Sequence, residues 1–381
     1  MIQTITIQQE KEWKHTVQQS FEYDFYHTWY YHNMSNDGDP LLVKYTEGED
    51  FIAFPLLRRH VDNSQLADMT SVYGYTGPLS NKPFAILRDD MKKNFKEQFL
   101  DFLKKNQYIT VFSRLHPFFN QLELMGGFEG IYDNGKVVYI DLRQSIESQR
   151  SKYKNGLMNK IEKLYKKGFY VREATTQEDI RAFIEIYLEN MKCISASEYY
   201  LFNEDYFMDI MSSKEFNCKL LLVYHNDKPV CGGTIVCTKK IIQSHLLGTL
   251  NEYRKYSPAK LLTDEISILG RKLGMDYFNL GGGYGFKEDS LFEFKAAFSD
   301  LFLEYKSWRF VSDKNAYQAM LKNNKIDPNL EIDFFPLYRY GVPENSEKTK
   351  KYSNLLNSIV SSVIFRQAYF INEAFAENFV I

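Results

Sequence analysis

Three groupings of residues in this 381-residue chain have the types and spacing to do chemistry. The densest is Asn279 to Phe298, NLGGGYGFKEDSLFEFKAAF, in which Gly281, Gly282, Gly283 and Gly285 precede Lys287 and Lys295. A phosphate-cradling P-loop needs G-x-x-x-x-G-K-[ST], and no glycine here stands at that distance from a Gly-Lys-Ser/Thr end. The dinucleotide fingerprint fails too, because Glu288 holds the place of its third glycine after Gly283-x-Gly285. The glycines follow a short apolar run, Met275 to Leu280, so they are expected to form a loop after a strand, where positive φ angles or close backbone contacts admit only glycine. Beyond them Lys295 is a fixed cation suited to a developing oxyanion or to phosphates.

The second grouping is a helix start, SPAKLLTDEISILGRKLG. Ser257 is placed to act as N-cap with Pro258 at the first helical position. Leu261, Leu262, Ile266, Leu269 and Leu273 then share one apolar side, and Gly274 ends the helix. Bare amides around Ala259 and Lys260 are able to receive a phosphate or pyrophosphate, although an ordinary surface cap has the same sequence. The third grouping is YDFYHTWYYH, where Asp24 and His27 stand three apart. On a helix they share a side and are able to bind an amine or take its proton, or else form a local polar pair. Tyr73 and Tyr75, in SVYGYTGPL, offer ring faces and hydroxyls to a sugar or peptide, or fill the core. Arg58 and Arg59 close a strand, with one of them in reach of a cleft. Spacing supports neither a Ser-His-Asp nor a Cys-His arrangement, so no covalent intermediate is expected.

These groups need a scaffold, and length allows two ordinary domains. The chain is 44% hydrophobic and 25% charged, a globular composition, with an unusual 28 Tyr and 30 Phe. Net charge is -2 and the isoelectric point about 6.4, which excludes the basic field of a dedicated DNA binder and leaves any RNA contact local. Cys193, Cys218, Cys231 and Cys237 form no C-x-x-C pair, so neither a zinc site nor a disulfide framework is expected, and free thiols suit a reducing cytoplasm. The N-terminus lacks the apolar core of a signal peptide, and no stretch approaches the ~18 apolar residues of a membrane span.

Two segments repeat one order of elements. Pro40 to Leu57 and Lys219 to Val236 each predict a hairpin. Each is followed by a further stretch (Ser71 to Leu79; Ile241 to Leu250), a helix (about Ile86 to Lys105; about Pro258 to Leu273) and a strand (Tyr108 to Leu115; Met275 to Leu280). The fold class is therefore α/β, an internal duplication in which each half is a mixed β-sheet with a crossover helix. Between the halves, Arg150 to Lys167 carries seven basic residues against Glu162, with Leu157, Ile161 and Leu164 at helical spacing. This predicts a basic amphipathic helix, either a solvated connector or a grip on a phosphate-bearing substrate, on tRNA or on an anionic membrane surface.

Taken together, YDFYHTWYYH, DMTSVYGYTGPL, RSKYKNGLMNKIEKLYKKGFYV, YSPAKLLTDEISILGRKLGMDYFNLGGG, LFEFKAAFS and FFPLYR resemble the Fem-type (FemABX) peptidoglycan aminoacyltransferases and their acyltransferase relatives. The resemblance spans roughly residues 20 to 340. It implies two tandem GNAT-like domains: 1–148, completed by about 318–345, and 149–317; the tail at 346–381 has no counterpart in that pattern and by its own sequence reads as an amphipathic helix. It also implies that F-K-x-x-F, here Phe294, Lys295 and Phe298, brings a lysine to the transfer site, with the glycine loop facing the interdomain cleft. In the peptidoglycan bridge enzymes YTGPLS would resemble R-G-P-x-x-D; here Thr76 and Ser80 stand instead of arginine and aspartate, which points away from a UDP-muramyl-peptide or lipid II.

The function so implied is N-acyl transfer, with acyl-CoA as co-substrate and aminoacyl-tRNA the alternative donor, and no tightly bound cofactor. The acceptor is an amino group of a small molecule, a cell-wall precursor or an amino sugar. Lys295, Asp24 and His27 are the expected catalytic groups. Ser257, Ala259, Lys260, Gly281, Gly282 and Gly283 are expected at the donor, and Arg58, Tyr73, Tyr75, Lys154 and Arg339 at the acceptor. The expected location is the cytoplasm, in contact with the inner membrane surface through the basic helix. A non-catalytic ligand-binding protein on the same fold is the competing class.

Overall fold

A computed structural model describes residues 1–61, 65–194 and 201–341. The tail expected at 346–381 lies outside the described residues. Thirteen strands form one mixed sheet. In chain order they are β1 (Ile2–Thr6), β2 (Asp39–Glu47), β3 (Asp50–His60), β4 (Ala67–Thr70), β5 (Leu79–Ser80), β6 (Tyr108–Arg114) and β7 (Ile131–Asp141). The second half contributes β8 (Tyr170–Glu173), β9 (Asn217–His225), β10 (Lys228–Thr238), β11 (Ile241–Thr249), β12 (Tyr277–Gly281) and β13 (Phe302–Val311).

The spatial order is β1-β2-β3-β4-β6-β13-β7-β12-β11-β10-β9-β8, with β5 paired to β3. From either edge inward, three antiparallel steps lead to one parallel step, β4 with β6 and β11 with β12, and in each case the chain passes through a helix between the parallel strands. The halves are duplicates at the level of pairing. They also exchange their last strands: β7 pairs with β12 of the second half, β13 with β6 of the first, and β7 and β13 with each other. The centre of this sheet is therefore built from both halves.

Local sequence accounts for the elements. Asn226 and Asp227 turn the β9–β10 hairpin with φ 51° and 58°, the left-handed pair that a two-residue turn of this hand requires. The helix Asp89–Lys105 sets Met91, Phe95, Phe99 and Leu103 four apart, and that stripe is fully buried on the sheet beside Phe54 and Trp308. Burying each such side chain stabilises by about 2 kcal/mol. In the second half Leu261, Leu262 and Ile266 of the helix Ala259–Lys272 pack with Leu157, Ile161 and Leu164 over β9 to β12. Among the described residues no helix is long and apolar enough to cross a membrane.

Two sequence expectations are corrected. The basic segment 150–167 is broken: Ile146–Ser151 and Leu157–Lys166 are separate helices, because Gly156 adopts φ 81° between them. Arg150 of that segment serves the interior, pairing with the fully buried Asp264, to which Tyr153 also donates at 2.8 Å. Ser257 does not cap the helix that follows. It is itself left-handed (φ 54°), its hydroxyl turns back to the Arg254 carbonyl, and Pro258 holds the cap position with no side-chain hydrogen bond. Gly274 does end the helix, at φ 69°.

Candidate functional site

The site is built where β11 and β12 part. Their parallel pairing runs through Ile241–Tyr277, Ile242–Phe278 and Gln243–Asn279 and then stops, although β11 continues to Thr249. Past that point β12 enters the glycine loop. Gly281 has φ +78°, and a Cβ there would lie 3.4 Å from Lys295 Nζ and 3.7 Å from Tyr75 Oη, so the lysine and the tyrosine converge over its backbone. At Gly283 a Cβ would stand 2.1 Å from the Lys287 carbonyl oxygen. Such an approach excludes any side chain, which is why this loop is glycine-rich.

Lys295 ends the short helix Ser290–Lys295, which Asp289 starts by accepting the Phe292 amide at 2.9 Å; the other Asp289 oxygen accepts the Tyr284 amide at 2.9 Å. The Lys295 ammonium donates to the Gly282 carbonyl. Burial pulls its pKa down from 10.5 to about 8, with Asp289 opposing that shift. Near neutral pH Lys295 is thus still charged but poorly solvated, a state suited to receiving negative charge. Aromatic rings close the surroundings: Tyr75 meets Tyr305 at 5.3 Å and Tyr26 at 5.8 Å, and Phe286 meets Tyr305 at 4.0 Å. Burial raises the hydroxyl pKa of Tyr75, so it remains a neutral donor.

Behind the loop runs a buried chain of hydrogen bonds that joins the halves. The Gly281 amide donates to Asn279 Oδ1 at 2.9 Å, Asn279 Nδ2 donates to Gln243 Oε1 at 2.8 Å, and Gln243 Nε2 donates to Asp24 Oδ2 at 2.5 Å. Asp24 Oδ2 also accepts His116 Nε2 at 2.9 Å, and Oδ1 accepts the Phe25 amide at 2.6 Å. With the Phe118 amide donating to His116 Nδ1 at 3.3 Å, His116 is the neutral Nε2–H tautomer. Asp24 is thus a fully buried carboxylate with three donors, not a group facing a cleft.

His27 joins Asp24 in a capping box rather than a helix face. It accepts the Asp24 amide on Nδ1 at 3.1 Å and donates from Nε2 to the Thr76 carbonyl at 3.1 Å, so both ring nitrogens are engaged. Burial lowers its pKa to about 3. The remaining expected residues divide. Ala259 and Lys260 begin a helix with no acid in its first turn, and Lys260 Nζ lies 5.6 Å from the ring of Phe294, next to Lys295. Burial, and Lys160 nearby, lower the Lys260 pKa. Lys154 pairs with Glu293 on the same short helix as Lys295. Tyr73 is half-buried at the edge of the aromatic cluster. Arg58 instead pairs with Asp39 at 2.9 Å on the outer strands, and Arg339 donates to the buried Asp68 at 2.6 Å, beside Arg59 at 2.7 Å. Neither arginine touches the Lys295 cluster.

Sequence reasoning missed Gln243, His245, Asn279 and His116. A signal existed for the first two: Gln243 and His245 are polar side chains in a largely apolar strand, IIQSHLLGT. His116 carried none, because only the long-range fold brings it to Asp24. Among the described residues no group of three or more His, Cys, Asp or Glu is placed to hold a metal ion.

Comparison with known proteins fits this geometry. Residues 151–295 match the family described as acetyltransferase (GNAT) domain, a span that ends on Lys295. Among solved structures, FemX superposes with a TM-score of 0.64 over 84% of this chain and 99% of its own, at 11% identity. L-PGS from Bacillus licheniformis gives 0.53 over 80% and 92% at 14% identity. A conserved protein of unknown function from Bacteroides thetaiotaomicron gives 0.52 over 81% and 100% at 10% identity. No curated protein sequence is close enough to match. Residues 151–295 are thus similar to a GNAT acetyltransferase domain. Across both halves the fold is the one seen in FemX.

Proposed function

We propose that the chain is an N-acyltransferase that moves an acyl group from an acyl-CoA to a primary amine of a cell-envelope precursor or amino sugar. The observation that carries this reading is the half-solvated Lys295 ammonium set over Gly281 beside the Tyr75 hydroxyl. The amine nitrogen attacks the thioester carbonyl carbon, a C–N bond forms, and the carbonyl electron pair moves onto oxygen. One Lys295 N–H is held by the Gly282 carbonyl, which leaves two to meet that oxyanion. The C–S bond then breaks, and one amine proton ends on the departing thiol. The burial that lowers the Lys295 pKa acts equally on a bound ammonium and so favours the neutral nucleophile.

The duplication makes it possible to ask which half takes the donor. The first-half helix begins with Asp89 and Asp90, which repel an anion at its positive end, whereas the second-half helix begins with Ala259 and Lys260. The donor's phosphates belong at the second start, a few residues in space from Lys295. An aminoacyl-tRNA donor is the second reading. The row Lys160, Lys163, Lys166 and Lys167 beside that start favours it, and would also be the surface that meets an anionic membrane on the cytoplasmic side. Acyl-CoA is preferred because Arg150 of the same segment is turned to the buried Asp264, Lys154 is paired with Glu293, and net charge is -2.

The test follows free thiol from acetyl-CoA with glucosamine as the amine, and in parallel the loss of aminoacyl ester from charged tRNA. Lys295→Met should cut turnover of whichever donor is used by about 10²-fold. Equal rates in the wild type and the variant would contradict the reading.

A further inference from the structure

Two buried tyrosines beside the Lys295 cluster have hydroxyls that the fold does not use. Tyr26, in the single turn Phe25–His27, is 3% exposed, and Tyr305, on β13, is 2% exposed. Both meet the ring of Tyr75 edge-on, Tyr26 at 5.8 Å and Tyr305 at 5.3 Å. Tyr75 in turn carries its hydroxyl to Gly281, where the Lys295 ammonium also arrives. Buried hydroxyls nearly always have a partner. Those of Tyr338 and Tyr153 do, donating to Asp68 at 2.7 Å and to Asp264 at 2.8 Å. Among the described residues, the hydroxyls of Tyr26 and Tyr305 have none. Neither oxygen is one of the sealed polar atoms without a partner, so the sliver of surface left to each side chain includes its hydroxyl.

The hydroxyls are close enough to one another to act on a single ligand. Burial above all raises the pKa values of Tyr26, Tyr75 and Tyr305. Tyr75 adds to the rise at Tyr26, Tyr305 to that at Tyr75, and the Tyr73 hydroxyl to all three, while Arg114 opposes it at Tyr75 and Tyr305. Each phenol therefore stays protonated at neutral pH, able to donate one hydrogen bond and accept another. A hydrocarbon amine would strip water from these oxygens and return nothing, whereas a hydroxylated amine would satisfy them. In a 2-amino sugar the amine is flanked by oxygen on both neighbouring carbons, as the Tyr75 ring is flanked by Tyr26 and Tyr305, and the sugar's C–H faces suit aromatic walls.

We propose that Tyr26 and Tyr305 form the wall of the acceptor site that recognises hydroxyls, and that the acceptor is a 2-amino sugar whose oxygens beside the amine take both phenols. This rests on the transferase reading above and narrows it. An amine borne on a hydrocarbon stem, as on the side chain of a peptide precursor, offers nothing to either phenol. Tyr26 and Tyr305 bind the acceptor and take no part in making or breaking bonds.

The test measures thiol release from acetyl-CoA by the full chain with three amines: glucosamine, cyclohexylamine of the same ring size without hydroxyls, and Nα-acetyllysine. Wild type should prefer glucosamine by about 10²-fold in kcat/KM over either of the others. Tyr26→Phe and Tyr305→Phe each remove one hydroxyl and keep the ring. Each should lower the ratio of glucosamine to cyclohexylamine about tenfold through the glucosamine KM, with the acetyl-CoA KM moved less than about twofold. Equal use of the three amines, a preference for Nα-acetyllysine, or an unchanged ratio in either variant would overturn the proposal. Thiol release with none of the amines would be a failure of the transferase reading alone. The wall is then judged by calorimetry, in which glucosamine should bind wild type about tenfold more tightly than either variant, and equal affinities would overturn it.

Discussion

Replacing Asp24 with asparagine separates a buried tether from a catalytic acid–base group. The carboxylate accepts three donors: His116 Nε2 and Gln243 Nε2 on Oδ2, and the Phe25 amide on Oδ1. Asparagine has one oxygen. With that oxygen at the Oδ2 site, its NH2 faces the Phe25 amide, donor against donor, and one buried amide loses its partner at a cost of about 1–3 kcal/mol. The two remaining bonds lose their charge assistance, roughly 1 kcal/mol together, while release from burying a charge acts in the opposite direction. The net expectation for Asp24→Asn is a loss of roughly 2 kcal/mol, read as a lowered urea midpoint at unchanged slope. Because Gln243 and Asn279 pass the tether on to the Gly281 amide, kcat should fall about tenfold, with the donor KM nearly unchanged. An unaltered midpoint together with a kcat loss of about 10³-fold would refute the tether and make Asp24 a proton acceptor.

Other substitutions test separate parts of the site. Gly281→Ala must hold φ +78° with a Cβ 3.4 Å from Lys295 Nζ; we expect about 1 kcal/mol of lost stability from the left-handed backbone and at least a tenfold fall in kcat, measured by thermal unfolding and thiol release. Lys260→Met removes the cation at the second-half helix start, so the KM for acetyl-CoA should rise about fivefold, and the difference from wild type should shrink as salt rises toward ~1 M, where charges are screened within about 3 Å. Arg339→Met leaves the buried Asp68 carboxylate with Arg59 and the Tyr338 hydroxyl alone; a loss of about 2 kcal/mol in unfolding free energy is expected, and an unchanged melting temperature would show that Arg339 holds no structural charge pair.

The architecture was legible where it is local. Alternating runs and turn residues located both hairpins, and four-residue spacing located both crossover helices, since these patterns follow from periods of two and 3.6. What periodicity does not carry is partnership between strands far apart in the chain. The exchange of β7 and β13 across the centre of the sheet appears in no local pattern, yet it sets the geometry of the opening. For the site, glycine density and the F-K-x-x-F resemblance pointed to Lys295, and the structure sets Tyr75 beside it. Asp24 and His27 were visible as polar residues in an aromatic stretch, but sequence cannot tell a cleft-facing pair from a capping box with fully engaged nitrogens. Arg58 and Arg339 show the same limit, since an arginine serves a ligand or an aspartate of the fold according to what the distant chain supplies.

The most direct measurement is the pH dependence of kcat at saturating acetyl-CoA and glucosamine, taken from pH 6 to 10 for wild type and Lys295→Arg. The Lys295 pKa is lowered to about 8, so the ammonium proposed to receive the oxyanion is present below pH 8 and is lost as pH rises through that value. The wild-type rate should therefore fall above about pH 8, and in the arginine variant, whose side chain stays charged, that limb should vanish from whatever activity remains. A wild-type rate that climbs through pH 8 to a plateau would mean that Lys295 works unprotonated, as a base, and would contradict its role as the cation at the oxyanion.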